Sequence, residues 1–408
     1  MNSTNCRSCG TELWRVMADL GLSPLSNEYL EDASRGQYFY PLVVNVCEKC
    51  CLVQAKEFSK PENIFSNYKY FSSFSKSWLE HCKKYVVMIV QDLGLGTGSL
   101  VTEIACNDGY LLQYFKPYEI PVYGVEPSKN VAAKAQKLGI DVEVAFFGSE
   151  KAVELAKKRG KSDLIIGNNV LAHVPDINGF VKGLKILLAD DGTITLEFPH
   201  LLRLIQQNQF DTIYHEHFYY FSMMALEKVF DKHDLRVFKI DELDTHGGSL
   251  RIYATHKSNF AKQGDSSVGK VLNDELRSGL DKMHTYEAFE EKVQLIKSNS
   301  VKLLLELKDG GKSVAAYGAA AKGNTFLNYC GIRSDIIDYV VDANPSKQGL
   351  YLPGTQIPIV EKKVLHETKP SHIIILPWNI RKEIEAELSF AREWGCKFIT
   401  FIPETEIF

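Results

Sequence analysis

Residues 99–112 read SLVTEIACNDGYLL, an apolar strand-like run followed by a polar turn and then more apolar residues. Glu103 falls in the strand, Asn107 to Gly109 form the turn, and a helix is predicted from about Tyr110. In open α/β sheets, ligands bind in the crevice at the carboxyl ends of the strands. Gly109 lets the backbone approach such a ligand without a side chain in between. The stretch therefore predicts a ligand site at the end of a parallel strand.

Alternating strand-like and helix-length stretches continue from this point towards the carboxyl terminus. The strand-like runs of the first set are VYGVE (122–126), VEVAF (142–146), DLIIGNN (163–169) and GTITLEF (192–198). A second set comprises SVAAYG (313–318), IDYVVDANP (337–345), HIIILPW (372–378) and KFITFIP (397–403). This pattern predicts two mostly parallel sheets covered by helices. The charged, helix-periodic stretch between them is expected to connect and cover the two sheets.

Two CxxC pairs near the amino terminus predict a metal site. They are Cys6 with Cys9 and Cys47 with Cys50, and four thiolates in a tetrahedron select zinc. With no open coordination position, the zinc would be structural. A redox motif and a catalytic metal are the alternatives, and Cys51 could replace Cys50 if the second knuckle is shifted by one residue.

Length and composition set the outer limits. A chain of 408 residues suggests two to three domains, and we divide it at 1–60, 61–257 and 258–408. The net charge of −4 gives no basic field for nucleic acid or an anionic membrane. No long apolar run or signal-peptide pattern is visible, so no membrane association is expected and the cytoplasm is the expected compartment.

Glu126 ends the second strand of the central set, 23 positions beyond Glu103. An acid there can accept two hydrogen bonds from a ribose diol. The turn lacks the GxGxxG that receives a pyrophosphate, and Asp108 would repel one. The cationic cofactor S-adenosylmethionine (SAM) therefore fits better than a dinucleotide, although Glu126 alone could be a solvated acid. The glycine-rich run at 94–98 precedes the strand and is interpreted as a turn.

Further candidates follow the later strands of the central set. Asn168, Asn169 and His173 come after DLII and are expected at the same sheet edge as the cofactor turn. Phe147 is a candidate to lie against the adenine, with a place in the core as the alternative.

The densest cluster of titratable groups is Tyr214, His215, Glu216 and His217. Such groups are costly to bury without partners, and in a cleft they acquire pKa values suited to proton transfer. Metal binding by HxH and a solvated helix start with polar caps are the alternatives.

Six motifs resemble those of the bacterial nucleotide-sugar C-3 methyltransferases: CRSCG, CEKC, EIACNDGYLL, VLAHVPD, FDTIYHEHFYYFS and HGGSLR. The resemblance implies an α/β fold with a small zinc-binding domain, a central class I SAM methyltransferase domain and a Rossmann-like C-terminal domain. It also implies methylation at C3 of a nucleotide-linked 4-keto-6-deoxyhexose. An O- or N-methyltransferase and a zinc-ribbon nucleic-acid module are the other classes considered.

Residue roles follow from that resemblance. His217 would be the general base, with Tyr214, Glu216 and His173 around the sugar. Tyr68 would reach the sugar, with Tyr70 as the alternative. Two departures from the family pattern, Tyr219 and Cys106, were expected to reshape pockets.

The run GAAAKGNT (318–325) resembles a phosphate-binding loop with Asn324 in the lysine position. A helix start with small residues and Lys322 is expected to hold the diphosphate. Asp342 and Asn344 could touch the ribose or base, and Trp378 is available for stacking. Alternatively, the C-terminal domain only walls the site, and the central loop of His246, Gly247 and Gly248 binds the substrate. The sequence does not decide between dTDP and GDP as the nucleotide, although dTDP is favoured. A monomeric protein is compatible with the sequence.

Overall fold

The computed structural model describes residues 5–58 and 71–408, which contain three β-sheets. The N-terminal sheet is antiparallel, and its spatial order is β1 (Arg15–Ser23), β2 (Tyr40–Val46), β3 (Val53–Ala55) and β9 (Tyr219–Tyr220). Its last strand, β9, closely follows the HEH segment, residues 215–217. Val53 pairs with Tyr220 and Gln54 with Tyr219, so the N-terminal sheet is completed by the middle of the chain.

The central sheet has seven strands. They are β4 (Val101–Ile104), β5 (Val122–Val125), β6 (Asp141–Glu143), β7 (Ser162–Asn168), β8 (Leu188–Pro199), β10 (Leu235–Leu243) and β11 (Ser249–His256). Their order is β10-β11-β8-β7-β4-β5-β6, and β11 runs antiparallel to both neighbours. The predicted doubly wound sheet is confirmed. Strand β4 is an inner strand between β7 and β5, and the ligand crevice of such sheets opens at the carboxyl end of such a strand.

Helices cover the central sheet. They are α1 (Lys76–Leu93), α2 (Lys129–Lys137), α3 (Ser149–Arg159), α4 (Ile177–Leu187), α5 (Leu201–Gln206) and α6 (Met223–Asp231). Local chemistry sets several ends: Ser75, Asp176 and Ser222 cap the starts of α1, α4 and α6. Gly94 ends α1 with φ 62°, so the glycine-rich run at 94–98 begins as a helix stop and turn, as predicted.

The helix predicted from about Tyr110 begins two residues later and is a 3-10 helix, Leu112–Tyr118, with Pro117 inside it. Proline lacks the N–H that an α-helix needs and clashes with the preceding turn, so the segment stays short and tight. The strands β10 and β11 had no counterpart among the predicted runs.

Two helices connect the sheets, α7 (Ser266–Arg277) and α8 (Met283–Asp309). Helix α7 is bonded to the central domain through buried Glu275, which accepts hydrogen bonds from the N–H groups of Met223 and Met224. Tyr286 and Phe289 on α8 belong to a core cluster with the N-terminal sheet. The stretch therefore covers as well as connects.

The C-terminal sheet has six strands and is parallel except at one edge. Its strands are β12 (Val314–Tyr317), β13 (Val340–Val341), β14 (Ile359–Val360), β15 (His372–Ile375), β16 (Lys397–Thr400) and β17 (Glu406–Ile407), in the order β14-β13-β12-β15-β16-β17. Its helices are α9 (Ala321–Cys330), α10 (Val364–Thr368) and α11 (Arg381–Glu387). The strand order reverses between β12 and β15, which is the switch point of this sheet.

The core does not divide along the sheets. One apolar cluster joins the inner face of the N-terminal sheet to the C-terminal domain, and another joins the paired cysteines to the central domain. Within the described residues, no helix is both long and apolar enough to cross a membrane.

Candidate active site and zinc centre

A cavity of about 930 Å³ opens where the three sheets meet. Within the described residues, Asn27 lines it from the N-terminal part, and Lys322 and Lys347 line it from the C-terminal domain. Much of the rest of its wall comes from loops at the carboxyl ends of the central strands, and Trp78 of α1 and the segment with Tyr214, Glu216 and His217 also line it. One cavity thus joins the predicted cofactor crevice to the HEH segment.

Glu126 and Asn107 form the floor of the cofactor crevice. The Glu126 carboxylate accepts hydrogen bonds from the N–H groups of Asn107 (3.1 Å) and Ser128 (2.9 Å). Burial raises its pKa, and those two donors oppose the rise. Carboxylate oxygens have further lone pairs, so the side chain can still accept from a ribose diol. Asn107 has φ 48°, and its Oδ1 accepts from the N–H of Ser72.

Glu103 and Gly109 lie behind the crevice rather than on its wall. Glu103 is fully buried, and burial raises its pKa well above the usual value, opposed by a hydrogen bond from Tyr110. Tyr110 itself lines the cavity. A Cβ on Gly109 would lie 2.5 Å from Ile140 Cδ1 and 3.2 Å from Ala135 Cβ. With φ 81°, this glycine is needed for the turn to pack against α2, a different reason from close approach to a ligand.

Phe147, Asn168 and Asn169 all line the cavity. Phe147 lies edge-on to Phe180, with ring centroids 5.4 Å apart. Asn169 has φ 52°, and its Nδ2 is 3.1 Å from Nε2 of His246. Asn168, Asn169 and His173 therefore line the same cavity as Asn107 of the cofactor turn, and His246 joins them.

His217 lies in the cavity with one ring nitrogen committed. Its Nδ1 is 2.8 Å from the backbone oxygen of Thr212. A carbonyl oxygen can only accept, so Nδ1 carries the hydrogen and the lone pair of the neutral ring resides on Nε2. Burial lowers the pKa of His217 well below 6.5, and His173 lowers it further. The ring is therefore neutral at physiological pH and able to accept a proton.

Tyr214 and His173 flank that base. The ring centroid of Tyr214 lies 3.9 Å from that of His217, and His173 lies edge-on at 4.7 Å. Burial lowers the pKa of His173 to about 4, so this imidazole is also neutral. A phenol carries one hydrogen-bond donor, which suits an oxygen that gains negative charge. The single N–H of neutral His173 is instead engaged by the backbone of Glu216.

The two histidines of HEH point in different directions. Glu216 lines the cavity, and its Oε1 accepts from Nδ2 of Asn27 at 2.7 Å. His215 instead packs beside Tyr40, with its Nε2 3.3 Å from the oxygen of Pro41. The HxH pair therefore does not converge on a metal.

Two expected pocket changes do not arise. Tyr219 is buried, and its hydroxyl donates to the oxygen of Pro175. Cys106 is buried against Gly124, where a Cβ would collide with its sulfur. Neither residue lines the cavity. Tyr68 and its alternative Tyr70 lie outside the described residues.

At the C-terminal wall, Lys322 donates to Oδ1 of Asn379 at 2.8 Å and lies over the ring of Trp378. Burial lowers the pKa of both Lys322 and Lys347. Lys347 was missed, although it follows the strand IDYVVDANP by two residues. Asn27 and Trp78, which also line the cavity, gave no sequence signal.

Several predicted substrate residues have other contacts and do not line the described cavity. Asn324 donates to the oxygen of Ser26, and Asn344 closes a turn onto Ser346. Gly247 packs against Trp378, where any Cβ would collide with the indole. Gly248 lies against Arg203. Trp378 is buried, its indole N–H donates to Asp211 and Lys322 lies over its ring, so it is not available to stack on a base.

The four predicted zinc ligands lie together. The sulfurs of Cys6, Cys9, Cys47 and Cys50 are all within 4.8 Å of one another, with Cys6 to Cys50 at 3.6 Å and Cys9 to Cys47 at 3.5 Å. Zn–S bonds of about 2.3 Å place tetrahedral sulfurs about 3.8 Å apart, so this donor set fits zinc. The pKa of Cys6 is lowered by hydrogen bonds from Cys50 and, more weakly, Gln54, which favours the thiolate.

Comparisons with known proteins agree with this geometry. Three family profiles match successive parts of the chain: a zinc binding domain at residues 6–65, a methyltransferase domain at 78–240, and a C-methyltransferase C-terminal domain at 244–403. The C-methyltransferase NovU of Streptomyces niveus is 34% identical over 404 residues, which cover 98% of this chain and 96% of that protein.

Solved structures with weaker likeness include the magnesium protoporphyrin IX methyltransferase of Synechocystis PCC 6803 with bound SAM, at 19% identity and TM-score 0.34 over 44% of this chain and 79% of that one. A SAM-dependent methyltransferase of Clostridium acetobutylicum ATCC 824 has 12% identity and TM-score 0.35 over 46% of this chain and 92% of that one. These two structures are too dissimilar to this chain for an inference about its function. The family profiles and the full-length relative show that the chain belongs to the C-methyltransferase family. Together with the four-cysteine cluster, they identify it as a zinc-binding enzyme that uses SAM.

Proposed function

We propose that this enzyme methylates C3 of a nucleotide-linked 4-keto-6-deoxyhexose through an enolate, with His217 as the base. The observation that supports this most is the state of His217: a neutral imidazole with its hydrogen fixed on Nδ1, in the same cavity as the cofactor crevice. Heteroatom methylation could also use a base but needs no enolate, so it gives no reason for a donor such as the Tyr214 hydroxyl beside His217.

Proton removal is the first step. The hydrogen on C3 is acidic because the ketone at C4 accepts the electron pair, giving an enolate with its charge on O4. Nε2 of His217 takes the proton, and the hydroxyl of Tyr214 donates to O4. His173 would act as a second donor once its N–H leaves the backbone of Glu216. Burial strengthens these hydrogen bonds, since little water competes for the charge.

Carbon–carbon bond formation is the second step. When bound, SAM supplies an electrophilic methyl group on a sulfonium. That methyl group would be transferred to C3 of the enolate, which would restore the C4 ketone and release a neutral thioether. Glu126 would hold the ribose end of the cofactor, and the cavity wall would keep the methyl in line with C3.

The diphosphate would lie against the C-terminal wall. Lys322 and Lys347 bring positive charge to the cavity beside the start of α9, where backbone N–H groups also favour anions. Glu216, held by Asn27, would accept from a sugar hydroxyl or orient His217. Between the two nucleotides considered, dTDP remains the preferred one.

The test is hydrogen–deuterium exchange at C3. Purified enzyme is incubated in heavy water with a dTDP-4-keto-6-deoxyhexose, with and without SAM, and the sugar is analysed by mass spectrometry. We expect enzyme-dependent deuterium uptake at C3 and, with SAM, one methyl group on carbon.

The matched control is His217→Asn, which retains a polar side chain without the basic nitrogen. Absence of exchange with both dTDP- and GDP-linked 4-keto sugars would overturn the proposal. Methyl gain on oxygen or nitrogen would establish the heteroatom methyltransferase instead.

A further inference from the structure

The backbone carbonyl that is hydrogen-bonded to His217 belongs to a turn that the C-terminal domain contacts through hydrogen bonds. The 3-10 helix Phe210–Thr212 precedes the HEH segment and carries Thr212, whose backbone oxygen accepts from Nδ1 of His217. Both chain neighbours of Thr212 are bonded across the domain boundary. Asp211 accepts from Nε1 of Trp378 at 2.7 Å, and the Ile213 oxygen accepts from Oγ1 of Thr325 at 2.9 Å.

Aromatic packing fixes the same turn. The Phe210 ring is fully buried, and its centroid lies 5.3 Å from that of Tyr329 and 6.1 Å from that of Phe326, both on α9. Thr325, on the same helix, is 1% exposed. Because water cannot replace a hydrogen bond lost at such a buried place, the turn has little freedom to shift while the C-terminal domain is docked.

The position of the Thr212 oxygen decides which nitrogen of His217 is basic. With that oxygen in place, the hydrogen is held on Nδ1 and the lone pair on Nε2. If the turn moved, the hydrogen could transfer to Nε2, and that nitrogen would lose its lone pair. The ring could also rotate, and Nε2 would then no longer point at the proton to be removed. Small displacements of a reacting group are costly to rate, since proton transfer needs heavy atoms within hydrogen-bond reach.

We infer that Thr325 and Trp378 are positioning residues for His217, so that the C-terminal domain fixes the tautomer and orientation of the base through the turn at 210–213. This rests on the proposed function in so far as His217 is the base. The C-terminal domain then contributes to the chemical step as well as to binding. Trp378 also lies under Lys322, which places the proposed diphosphate contact and the turn on one indole.

Thr325→Val tests the inference, because it removes the hydroxyl and keeps the shape. Thr255→Val is the matched control: Thr255 is fully buried, donates to the oxygen of Gly192 at 2.9 Å and does not line the cavity. Thr325→Ser retains the hydroxyl and should restore the wild-type behaviour. Trp378→Phe, which removes the indole donor, serves as a second variant if Thr325→Val does not fold.

Two readouts are needed. The first is kcat and KM together with the C3 exchange rate. The second is ¹⁵N NMR of enzyme labelled on histidine, with the His217 signals identified by their loss in His217→Asn. The Nδ1 and Nε2 shifts report the tautomer directly, whether or not the enzyme turns over.

We expect Thr325→Val to lower kcat and the exchange rate about tenfold, with KM nearly unchanged, and to move the His217 nitrogen shifts towards a tautomer mixture. Thr255→Val should lower thermal stability to a similar degree without either effect. If Thr325→Val and Trp378→Phe match Thr255→Val in tautomer and kcat, the inference is overturned. If His217→Asn retains C3 exchange, the proposed base fails instead, and the NMR result still decides the positioning role.

Discussion

The central and C-terminal sheets share an architecture, yet they present opposite charges to the same cavity. Each is a largely parallel, doubly wound sheet with a switch point. At the edge of the central sheet the cavity wall includes buried Glu126, whereas the C-terminal wall includes Lys322 and Lys347. The difference suggests a general rule, that loop residues, and not the fold, select the ligand. Under the proposed function, one sheet would bind a sulfonium and its ribose, and the other would bind an anion.

The proposed base comes from neither switch point. His217 lies on the segment between α5 and α6, with Tyr214 beside it. Cofactor binding, substrate binding and chemistry are therefore expected at three separate places in the molecule. Each place can be tested by its own substitutions.

The largest effect is expected at the base. His217→Asn should lower turnover about a thousandfold, because the general base is lost. Binding of SAM, measured by calorimetry, should stay close to wild type, since the cofactor crevice is untouched. Near-normal turnover in this variant would remove His217 as the base.

The next effect is expected in the central crevice. Glu126→Gln replaces a carboxylate that accepts two backbone N–H groups by an amide that presents a donor to one of them. The Kd for SAM should rise about tenfold to a hundredfold. The KM for the sugar nucleotide should not change, and an equal loss in both would contradict the division between the two crevices.

A smaller effect is expected at the C-terminal wall. Lys322→Met retains the length of the side chain and removes its charge, so the KM for the sugar nucleotide should rise about tenfold while SAM binding is retained. The KM of the variant should also depend less on salt than that of wild type. Lys382→Met, an exposed lysine in the same domain, is the control and should behave as wild type. Equal KM values in both variants would count against the diphosphate contact.

The smallest effect concerns pH. Because burial lowers the pKa of His217, the base stays deprotonated at neutral pH, and its protonation begins only below its ordinary value of 6.5. The C3 exchange rate should therefore be flat between about pH 7 and pH 8 and fall as the pH drops through the lowered pKa. An exchange rate that is half-maximal at or above pH 6.5 would contradict this environment for the base.

The sequence was sufficient where local spacing carries the chemistry. Two CxxC pairs predicted the cysteine cluster, and alternating apolar runs predicted two doubly wound sheets. Contacts between domains were out of reach, because no local pattern reports which side chain another domain covers. Trp378 looked available for stacking until Asp211 and Gly247 were seen against it, and the two histidines of HEH could not be told apart before the backbone gave their directions.

The strand Tyr219–Tyr220 affects how the chain is made. The N-terminal sheet lacks its edge partner for β3 until residue 220 has been synthesised, and until then that edge is open to pairing with another chain. The zinc segment therefore cannot finish folding as it leaves the ribosome, even though its four cysteines emerge first. Because the strand that closes it begins two residues after His217, an exchange of the zinc segment between relatives would also have to carry part of the segment around His217.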